Sequence, residues 1–298
     1  MIPFELAEPR SLGEALALLD PADLSVRPLG GGTALMLMMK SGLFAPKRLV
    51  SLAHLEARYG AIAARAEGGL RIGALARLRE IERSPEVARA APSIPRAMRR
   101  LSNVRVRNVA TLGGNLAHAD PHMDLPPLLI ALRAEIAIAA PGADGTPVER
   151  RIPLADLYRG YLETTLGPRE LIVELLLPPP GAWRAAYMKC TTRAADDWPA
   201  LGVAAALEME GGIARDVRLV VSAATDRPTR LARAEATLRG KAPSADLLAR
   251  VGVAAMEEAP VLADAQGSAA YKRALLKVYA VRALERALAG DPPRKAAP

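Results

Sequence analysis

Leu29-Gly30-Gly31-Gly32-Thr33-Ala34 and Thr111-Leu112-Gly113-Gly114-Asn115 are the stretches that decide the interpretation of this chain. Each is predicted to be a loop that follows an extended segment. Because glycine lacks a Cβ, its backbone reaches positive φ and lets several N–H groups approach a phosphate closely. Thr33, Thr111 and Asn115 add side-chain donors. One glycine triplet is also common in ordinary turns, but the pair predicts two walls of one nucleotide site.

Length and composition indicate a folded protein. The 298 residues correspond to about two domains. The 51% of hydrophobic residues favours packed cores over disorder. The apolar run Ala34 to Met39 is far shorter than the ~20 residues that cross a bilayer. The start Met1-Ile2-Pro3-Phe4-Glu5 lacks the pattern of a secretory signal. We therefore expect a cytoplasmic protein without a transmembrane segment.

The positive charge raises the possibility of nucleic-acid binding. The net charge is +8 and the pI is near 9.9. A local basic cluster consists of Arg96, Arg99, Arg100, Arg105 and Arg107. Aromatic residues make up only 3% of the chain and none lies among these arginines, so the stacking platform of single-strand binders is missing. This favours a basic surface for an acidic partner, with a scaffold or nucleic-acid module lacking a cofactor as an alternative.

The chain has one cysteine, Cys190, which excludes an intrachain disulfide and an iron–sulfur cluster held by this chain alone. Any such cluster would belong to a partner. We interpret Cys190 as a buried small hydrophobe. The segment from His118 to Asp124 mixes imidazoles with carboxylates, but Pro121 interrupts a regular strand and no metal site is predicted. His118 and His122 are left without a role.

Periodicity and turn residues predict an α+β chain with two parts. Ser11-Leu12-Gly13-Glu14 is a capping-box pattern that opens a first helix. Glu67-Gly68-Gly69 predicts a hairpin, and Leu171 to Leu177 a buried strand. The three prolines Pro178 to Pro180 continue neither a helix nor a ladder, so they mark the predicted boundary. Beyond it, strands at 203–209 and 217–223 precede helices that begin near 230, 245 and 268.

The two glycine stretches, with their flanks, carry a specific resemblance. Arg27 to Lys40 and Asn108 to Pro121 resemble the FAD-binding subunit of molybdenum hydroxylases. Relatives in that family include the medium subunit of aerobic carbon monoxide dehydrogenase and the flavin domain of xanthine dehydrogenase. The resemblance covers nearly the whole chain.

The resemblance implies an α+β fold that begins with an FAD-binding domain of the PCMH or vanillyl-alcohol-oxidase-like type. This domain is expected at 1–178, with α+β subdomains at about 1–55 and 56–178. A smaller α+β domain of the carbon monoxide dehydrogenase flavoprotein C-terminal type is expected at 182–290. A tail follows at 291–298.

The resemblance also implies a set of cofactor contacts, without a catalytic acid–base residue or a metal ligand. Asp124, nine residues after Asn115, contacts the cofactor in this scheme. Lys189 either stabilises negative charge on the flavin pyrimidine or is a solvated strand lysine. Trp198 either stacks on the flavin ring or is a core aromatic. The implied residues are Leu29, Gly30, Gly31, Gly32, Thr33, Ala34, Leu101, Thr111, Leu112, Gly113, Gly114, Asn115, Asp124, Ile172, Lys189 and Trp198.

Thr33 and Ala34 depart from the family, in which many members carry histidine or a similar residue and then serine. One contact of this loop is therefore expected from the backbone alone. The loop has no histidine or cysteine for covalent attachment, which favours noncovalent FAD.

The function implied by the resemblance is electron transfer. FAD takes electrons from a 2Fe-2S partner subunit and passes them to an external acceptor, while a large partner carries the molybdenum cofactor. A dimer of heterotrimers is the implied assembly. The alternative is a stand-alone FAD-dependent oxidase or reductase of the same fold, for which Asp196 and Asp197 are the candidate bases. The sequence names neither the substrate nor the acceptor.

Overall fold

The computed structural model describes residues 2–179, 181 and 183–290. These residues form two compact units. The first holds 2–90, 102–119 and 134–179, and the second holds 91–101, 120–133 and the described residues beyond 180. The units differ from the predicted ranges 1–178 and 182–290, because two internal segments pack with the C-terminal part. Pro180, Ala182 and the predicted tail 291–298 lie outside the described residues.

The strands and helices are numbered along the whole chain. The strands are β1 (Glu5–Ala7), β2 (Val26–Leu29), β3 (Arg48–Ser51), β4 (Ile62–Ala64), β5 (Leu70–Gly73), β6 (Glu135–Pro141), β7 (Pro147–Pro153), β8 (Tyr158–Gly160), β9 (Glu163–Thr164), β10 (Leu171–Leu177), β11 (Trp183–Thr191), β12 (Pro199–Glu210), β13 (Ile213–Ser222) and β14 (Thr229–Arg230). The helices are α1 (Leu12–Leu18), α2 (Leu35–Lys40), α3 (Leu78–Arg83), α4 (Pro85–Ala90), α5 (Ser93–Met98), α6 (Val104–Arg107), α7 (Leu112–Ala117), α8 (Leu125–Ala131), α9 (Ala232–Leu238), α10 (Ala245–Glu258) and α11 (Ala269–Leu288).

The first unit combines a parallel and an antiparallel sheet. The parallel sheet has the order β1-β3-β2, and the antiparallel sheet has the order β4-β5-β10-β6-β7. Strands β8 and β9 form a separate antiparallel pair. Leu12 and Leu16 of α1 share a core with Val50 of β3 and Ala137 of β6. One amphipathic helix thus contributes to a core with strands of both sheets.

The second unit is an antiparallel sheet, β11-β12-β13-β14, with helices on both faces. Alternate residues of β12, including Val203 and Leu207, share a core with α9, α10 and α11. Because side chains alternate along a strand, Ala204 and Ala206 point to the opposite face. Helix α8 contacts the sheet at β11, β12 and β13, and α5 contacts β11. The small alanine side chains let a helix lie close to that face.

Several predicted elements are confirmed. Helix α1 begins after Ser11, whose Oγ accepts a hydrogen bond from the Glu14 N–H at 3.2 Å. The hairpin of β4 and β5 turns at Gly68 and Gly69, both with positive φ. Strand β10 occupies the predicted 171–177. Helices α4 and α6 were not predicted from the sequence. No described helix is long and apolar enough to cross a membrane.

Candidate functional site

The first glycine stretch connects β2 to α2 in the first unit. Leu29 pairs with Ser51 in the parallel sheet, and the chain then turns through Gly30 to Ala34. Of the glycines in the two stretches, only Gly32 has a positive φ, at +71°. Positive φ therefore explains the need for glycine at one of these positions. The other glycines lie close to neighbouring atoms: a Cβ on Gly31 would meet backbone atoms first, and a Cβ on Gly30, Gly113 or Gly114 would meet side-chain atoms first.

The second glycine stretch differs from the prediction, because most of it is helical. It follows helix α6, not an extended segment, and Leu112 to Asn115 form the start of α7. Thr111 is the N-cap, and its Oγ1 accepts a hydrogen bond from the Gly114 N–H at 3.3 Å. This capping bond favours a helix despite the low helix propensity of glycine.

The N–H groups of the second stretch are used within the protein. The Leu112 N–H donates to the Ala76 carbonyl at 3.0 Å, and the Gly113 N–H donates to the Ala74 carbonyl at 2.7 Å. The Asn115 N–H donates to the Thr111 carbonyl at 3.0 Å. The expectation that backbone donors of both stretches face a phosphate is therefore wrong for these second-stretch groups.

The two stretches lie directly against each other. A Cβ added to Gly31 would lie 2.1 Å from the Val109 carbonyl oxygen and 2.7 Å from the Ala110 Cα. A Cβ on Gly30 would lie 2.6 Å from Thr111 Oγ1. A side chain at Gly31 would push the two backbones apart, and a side chain at Gly30 would displace the Thr111 hydroxyl. Glycine thus allows the segment before α7 to support the first loop from behind.

The first loop presents unused backbone donors. Gly30, Gly31, Gly32 and Ala34 are half-buried, and Thr33 is exposed. Within the described part of the chain, the N–H groups of these five residues donate no hydrogen bond to a protein acceptor. A run of N–H groups that are partly removed from water and lack acceptors favours an anionic ligand. The pyrophosphate of FAD has this chemistry, so the loop fits the cofactor implied by the sequence.

Ile172 lies on β10, close to this arrangement. The register of β10 with β6 shifts between Ile172 and Glu174. The Val173 carbonyl accepts a hydrogen bond from the Ala74 N–H at 2.9 Å, and Ala74 in turn accepts from Gly113. The structure therefore brings together the first loop, the start of α7 and the irregular part of β10.

Asp124 and Lys189 form a buried ion pair in the second unit. The Lys189 Nζ donates to Asp124 Oδ2 at 2.8 Å and to the Arg100 carbonyl at 3.0 Å. Both residues are 5% exposed. The interpretation of Lys189 as a solvated strand lysine is therefore wrong. An ammonium has three donors, and in the described part of the chain no acceptor meets the third.

Tyr187 completes this cluster and was missed by the sequence argument. Its hydroxyl donates to Asp124 Oδ1 at 2.7 Å. Burial, with the nearby Asp124 charge, raises the pKa of Tyr187 well above its usual value of 10.0, so the hydroxyl keeps its proton. Burial also raises the pKa of Asp124, while Lys189 and Tyr187 act in the opposite direction. The two-residue spacing of Tyr187 and Lys189 on β11 places them on one strand face, which is a signal that the sequence contained.

Trp198 is 46% exposed, so its interpretation as a core aromatic is wrong. Its ring meets the His122 ring edge to face, with centroids 5.7 Å apart and an interplanar angle of 75°. Leu101, by contrast, is buried. Cys190 is buried in the core on the α9–α11 side of the sheet, as its interpretation as a small hydrophobe predicts.

His122 belongs to a charged network that the sequence analysis left unassigned. Its Nδ1 lies 2.9 Å from Asp120 Oδ1, and its Nε2 lies 2.9 Å from Asp264 Oδ2. The same Asp264 oxygen accepts from Lys272 Nζ at 2.5 Å, and Lys272 is fully buried. Burial alone lowers the pKa of His122, but hydrogen bonds to the two carboxylates and their charges outweigh it and raise the pKa above 6.5.

Comparison with known families agrees with this arrangement. Residues 2–180 match the model of the FAD binding domain in molybdopterin dehydrogenase. Residues 185–287 match the model of the carbon monoxide dehydrogenase flavoprotein C-terminal domain. The two matches follow each other along the chain in the order that the sequence predicted. They confirm FAD as the cofactor.

Individual relatives match over almost their full length. The glyceraldehyde dehydrogenase medium chain of Sulfolobus acidocaldarius is 29% identical over 95% of this chain and 97% of its own. The carbon monoxide dehydrogenase medium chain of Afipia carboxidovorans is 31% identical over 97% of this chain and 99% of its own. A solved structure of carbon monoxide dehydrogenase from Hydrogenophaga pseudoflava, which lacks the Mo-pyranopterin moiety of the molybdenum cofactor, matches with a TM-score of 0.90 at 31% identity, covering 97% of this chain and 99% of that one.

These matches confirm the α+β fold class and the family predicted from the two glycine stretches. The named relatives are dehydrogenases, so the chain is a component of an oxidoreductase. It belongs to the family of FAD-binding medium subunits of the molybdenum hydroxylases.

Proposed function

We propose that this chain is the electron-transfer subunit of a molybdenum hydroxylase complex and holds FAD noncovalently. The observation that carries the proposal is the first loop, whose half-buried N–H groups lack protein acceptors in the described part of the chain while Val109 and Ala110 support it from behind. When bound, FAD supplies the exchange between one-electron and two-electron carriers.

The residues of the first unit have defined tasks in this proposal. The N–H groups of Gly30 to Ala34 bind the pyrophosphate, and Thr33 adds a hydroxyl donor. Thr111 caps α7 and so keeps the supporting segment in place. Ile172 contributes a contact from the irregular part of β10. The backbone N–H groups of Leu112, Gly113 and Asn115 are bonded within the protein, so the second stretch acts through them by positioning the first loop. Contacts to FAD from Thr111 to Asn115 are proposed for their other atoms.

The predicted contacts in the second unit remain proposals. Asp124 is held at both oxygens, by Lys189 and by Tyr187, so its carboxylate has one orientation. Lys189 keeps a third N–H for a ligand atom. The half-exposed indole of Trp198 offers a face for stacking, and the buried Leu101 stays a proposed contact.

The partners are proposed from chemistry and from the relatives. The single Cys190 leaves this chain without the thiolates that an iron–sulfur cluster needs, so a 2Fe-2S cluster requires a small partner subunit. A large subunit would carry the molybdenum cofactor, and a dimer of heterotrimers remains the expected assembly. The cytoplasmic location also stays a prediction. The substrate is set by the large subunit in this scheme.

The alternative of a stand-alone FAD-dependent oxidase or reductase has weaker support. It requires a free base beside Trp198. The Asp197 carboxylate accepts a hydrogen bond from the Trp198 N–H at 3.1 Å and pairs with Arg193 at 3.3 Å. Its two oxygens are therefore engaged, and Asp196 is exposed.

Cofactor identity is tested on the natively purified chain. We expect a flavin absorption spectrum and, after acid release, equimolar FAD without FMN by chromatography, because the loop binds a pyrophosphate that FMN lacks. A colourless protein that also fails to take up added FAD would refute the proposal. The scaffold alternative would then require salt-sensitive binding to DNA or RNA.

Electron flow is tested in the complex isolated with its partners. Substrate added without an acceptor should bleach the iron–sulfur and flavin bands, and the flavin band should return when the acceptor is supplied. A chain that is purified without partners yet turns over a small substrate directly would support the stand-alone alternative instead.

A further inference from the structure

We propose that His122 is a positioning residue for Trp198, acting through an imidazole ring that Asp120 and Asp264 hold from both sides. The proposal rests on the function proposed above in one respect, which is the role of Trp198 at the flavin ring. The contact between the two rings does not depend on that role.

The imidazole is held by a carboxylate at each of its two nitrogens. Both nitrogens lie 2.9 Å from a carboxylate oxygen, and the Asp120 oxygen also accepts the backbone N–H of His122 at 2.8 Å. Asp264 is itself held by the buried Lys272, which also donates to the Ala223 carbonyl at 2.8 Å. Ring rotation would break hydrogen bonds on both sides at once, so the ring keeps one plane.

Trp198 needs such a support because its own segment provides little. Residues 192–198 connect β11 to β12 without regular structure. Arg193 pairs with Asp197 inside this segment, and the Thr192 hydroxyl lies 3.3 Å from Gln266 Oε1. The indole is nearly half exposed, so dense packing does not set its plane. The edge-to-face contact with His122 sets the plane of the indole ring.

The support depends on the charge of His122. A charged imidazole donates from both nitrogens, whereas a neutral one donates from only one. The charged groups facing the ring are Asp120 and Asp264, and Lys272 donates to Asp264. The Arg193–Asp197 pair lies in the segment that leads to Trp198. Loss of the proton therefore removes one of the two hydrogen bonds and loosens the ring against Trp198.

The test uses the full flavin-free chain carrying Trp183→Phe, so that Trp198 is the only tryptophan. Emission and acrylamide quenching are measured against pH. The emission intensity and the acrylamide quenching constant should both rise in one step at a pH above 6.5. Below the step, the imidazolium of His122 quenches indole emission and holds the indole ring in place. His122→Gln should abolish the step and give the quenching constant of the high-pH form.

Matched controls come from the other two histidines. His54→Gln and His118→Gln should each keep the step. Asp120→Asn, which leaves His122 in place, should move the step to lower pH because it removes one of the carboxylates that favour the charged ring. If His122→Gln kept the step and the wild-type acrylamide constant, or if Asp120→Asn left its midpoint unchanged, the proposal would be wrong.

A second readout concerns the flavin. In the FAD-loaded chain, the visible circular dichroism of the cofactor should show the same pH step, and His122→Gln should lack it while retaining FAD. A chain that binds no FAD would contradict the proposed function but leave the tryptophan titration decisive. A dichroism step that persists in His122→Gln would overturn the link from His122 to the cofactor.

Discussion

Gly31→Ala is expected to weaken FAD binding by at least about 100-fold, a loss of about 2.8 kcal/mol at ~1.4 kcal/mol for each factor of ten. The added methyl group would lie 2.1 Å from the Val109 carbonyl oxygen and 2.7 Å from the Ala110 Cα. Both are backbone atoms, so no side-chain rotation relieves the overlap. The first loop must move away from its support, and its N–H groups then lose their common orientation.

FAD binding is measured by titrating the flavin-free protein and following quenching of flavin emission. Gly60→Ala is the matched control, because a Cβ there meets no heavy atom within 4 Å and the residue lies in the same unit. Thermal unfolding of both variants separates a local from a global effect. A Gly31→Ala protein that is folded and binds FAD within threefold of the wild type would contradict the assignment of the loop.

Lys189→Met is expected to lower the free energy of unfolding by about 3–5 kcal/mol, because it leaves the buried Asp124 carboxylate without its counter-charge. The side chains of the pair are 2% and 6% exposed, so water compensates little. Tyr187 would remain as the one hydrogen-bond donor to Asp124 in the described part of the chain. A single neutral donor cannot replace a buried ammonium.

The measurement is urea unfolding at neutral pH, followed by the emission of Trp183 and Trp198, which report on the unit that holds the pair. Arg215→Met is the matched control. It breaks the exposed pair with Glu210, whose side chains are 65% and 72% exposed, and should cost about 0–1 kcal/mol. The double variant Lys189→Met with Asp124→Asn should lose less than the sum of the single losses. Equal losses in Lys189→Met and Arg215→Met would contradict the buried-pair interpretation.

The sequence predicted those parts of the fold that depend on local chemistry. The Ser11 cap, the hairpin at Gly68 and Gly69 and the strand 171–177 each have a short-range cause. The prediction of a loop at the start of α7 is wrong, and its cause is the low helix propensity of the two glycines. Tertiary contacts override that preference, since Gly113 packs on Ala74 at a distance that no larger residue allows.

The residues of the candidate site also differ in whether a local sequence signal predicts them. The two glycine stretches could be paired from the sequence, because their composition and order are specific. The partnership of Asp124 with Lys189 could not, since 65 residues separate them and nothing local indicates the pairing. His122 was left unassigned for a related reason, because Asp264 lies 142 residues further along the chain. Such long-range contacts depend on the tertiary structure and not on neighbouring residues in the sequence.

Segments of the two units alternate along the chain, and this limits which gene recombinations would give a folded protein. Segments 91–101 and 120–133, which carry α5 and α8, belong to the unit formed mainly by the C-terminal part. A gene recombination joined at Pro179 would deliver the β11–β14 sheet without the helices that cover its alanine-rich face. Exchange of whole modules at that junction is therefore disfavoured. An exchange that keeps this sheet covered would have to carry residues 91–101 and 120–133 together with the C-terminal part.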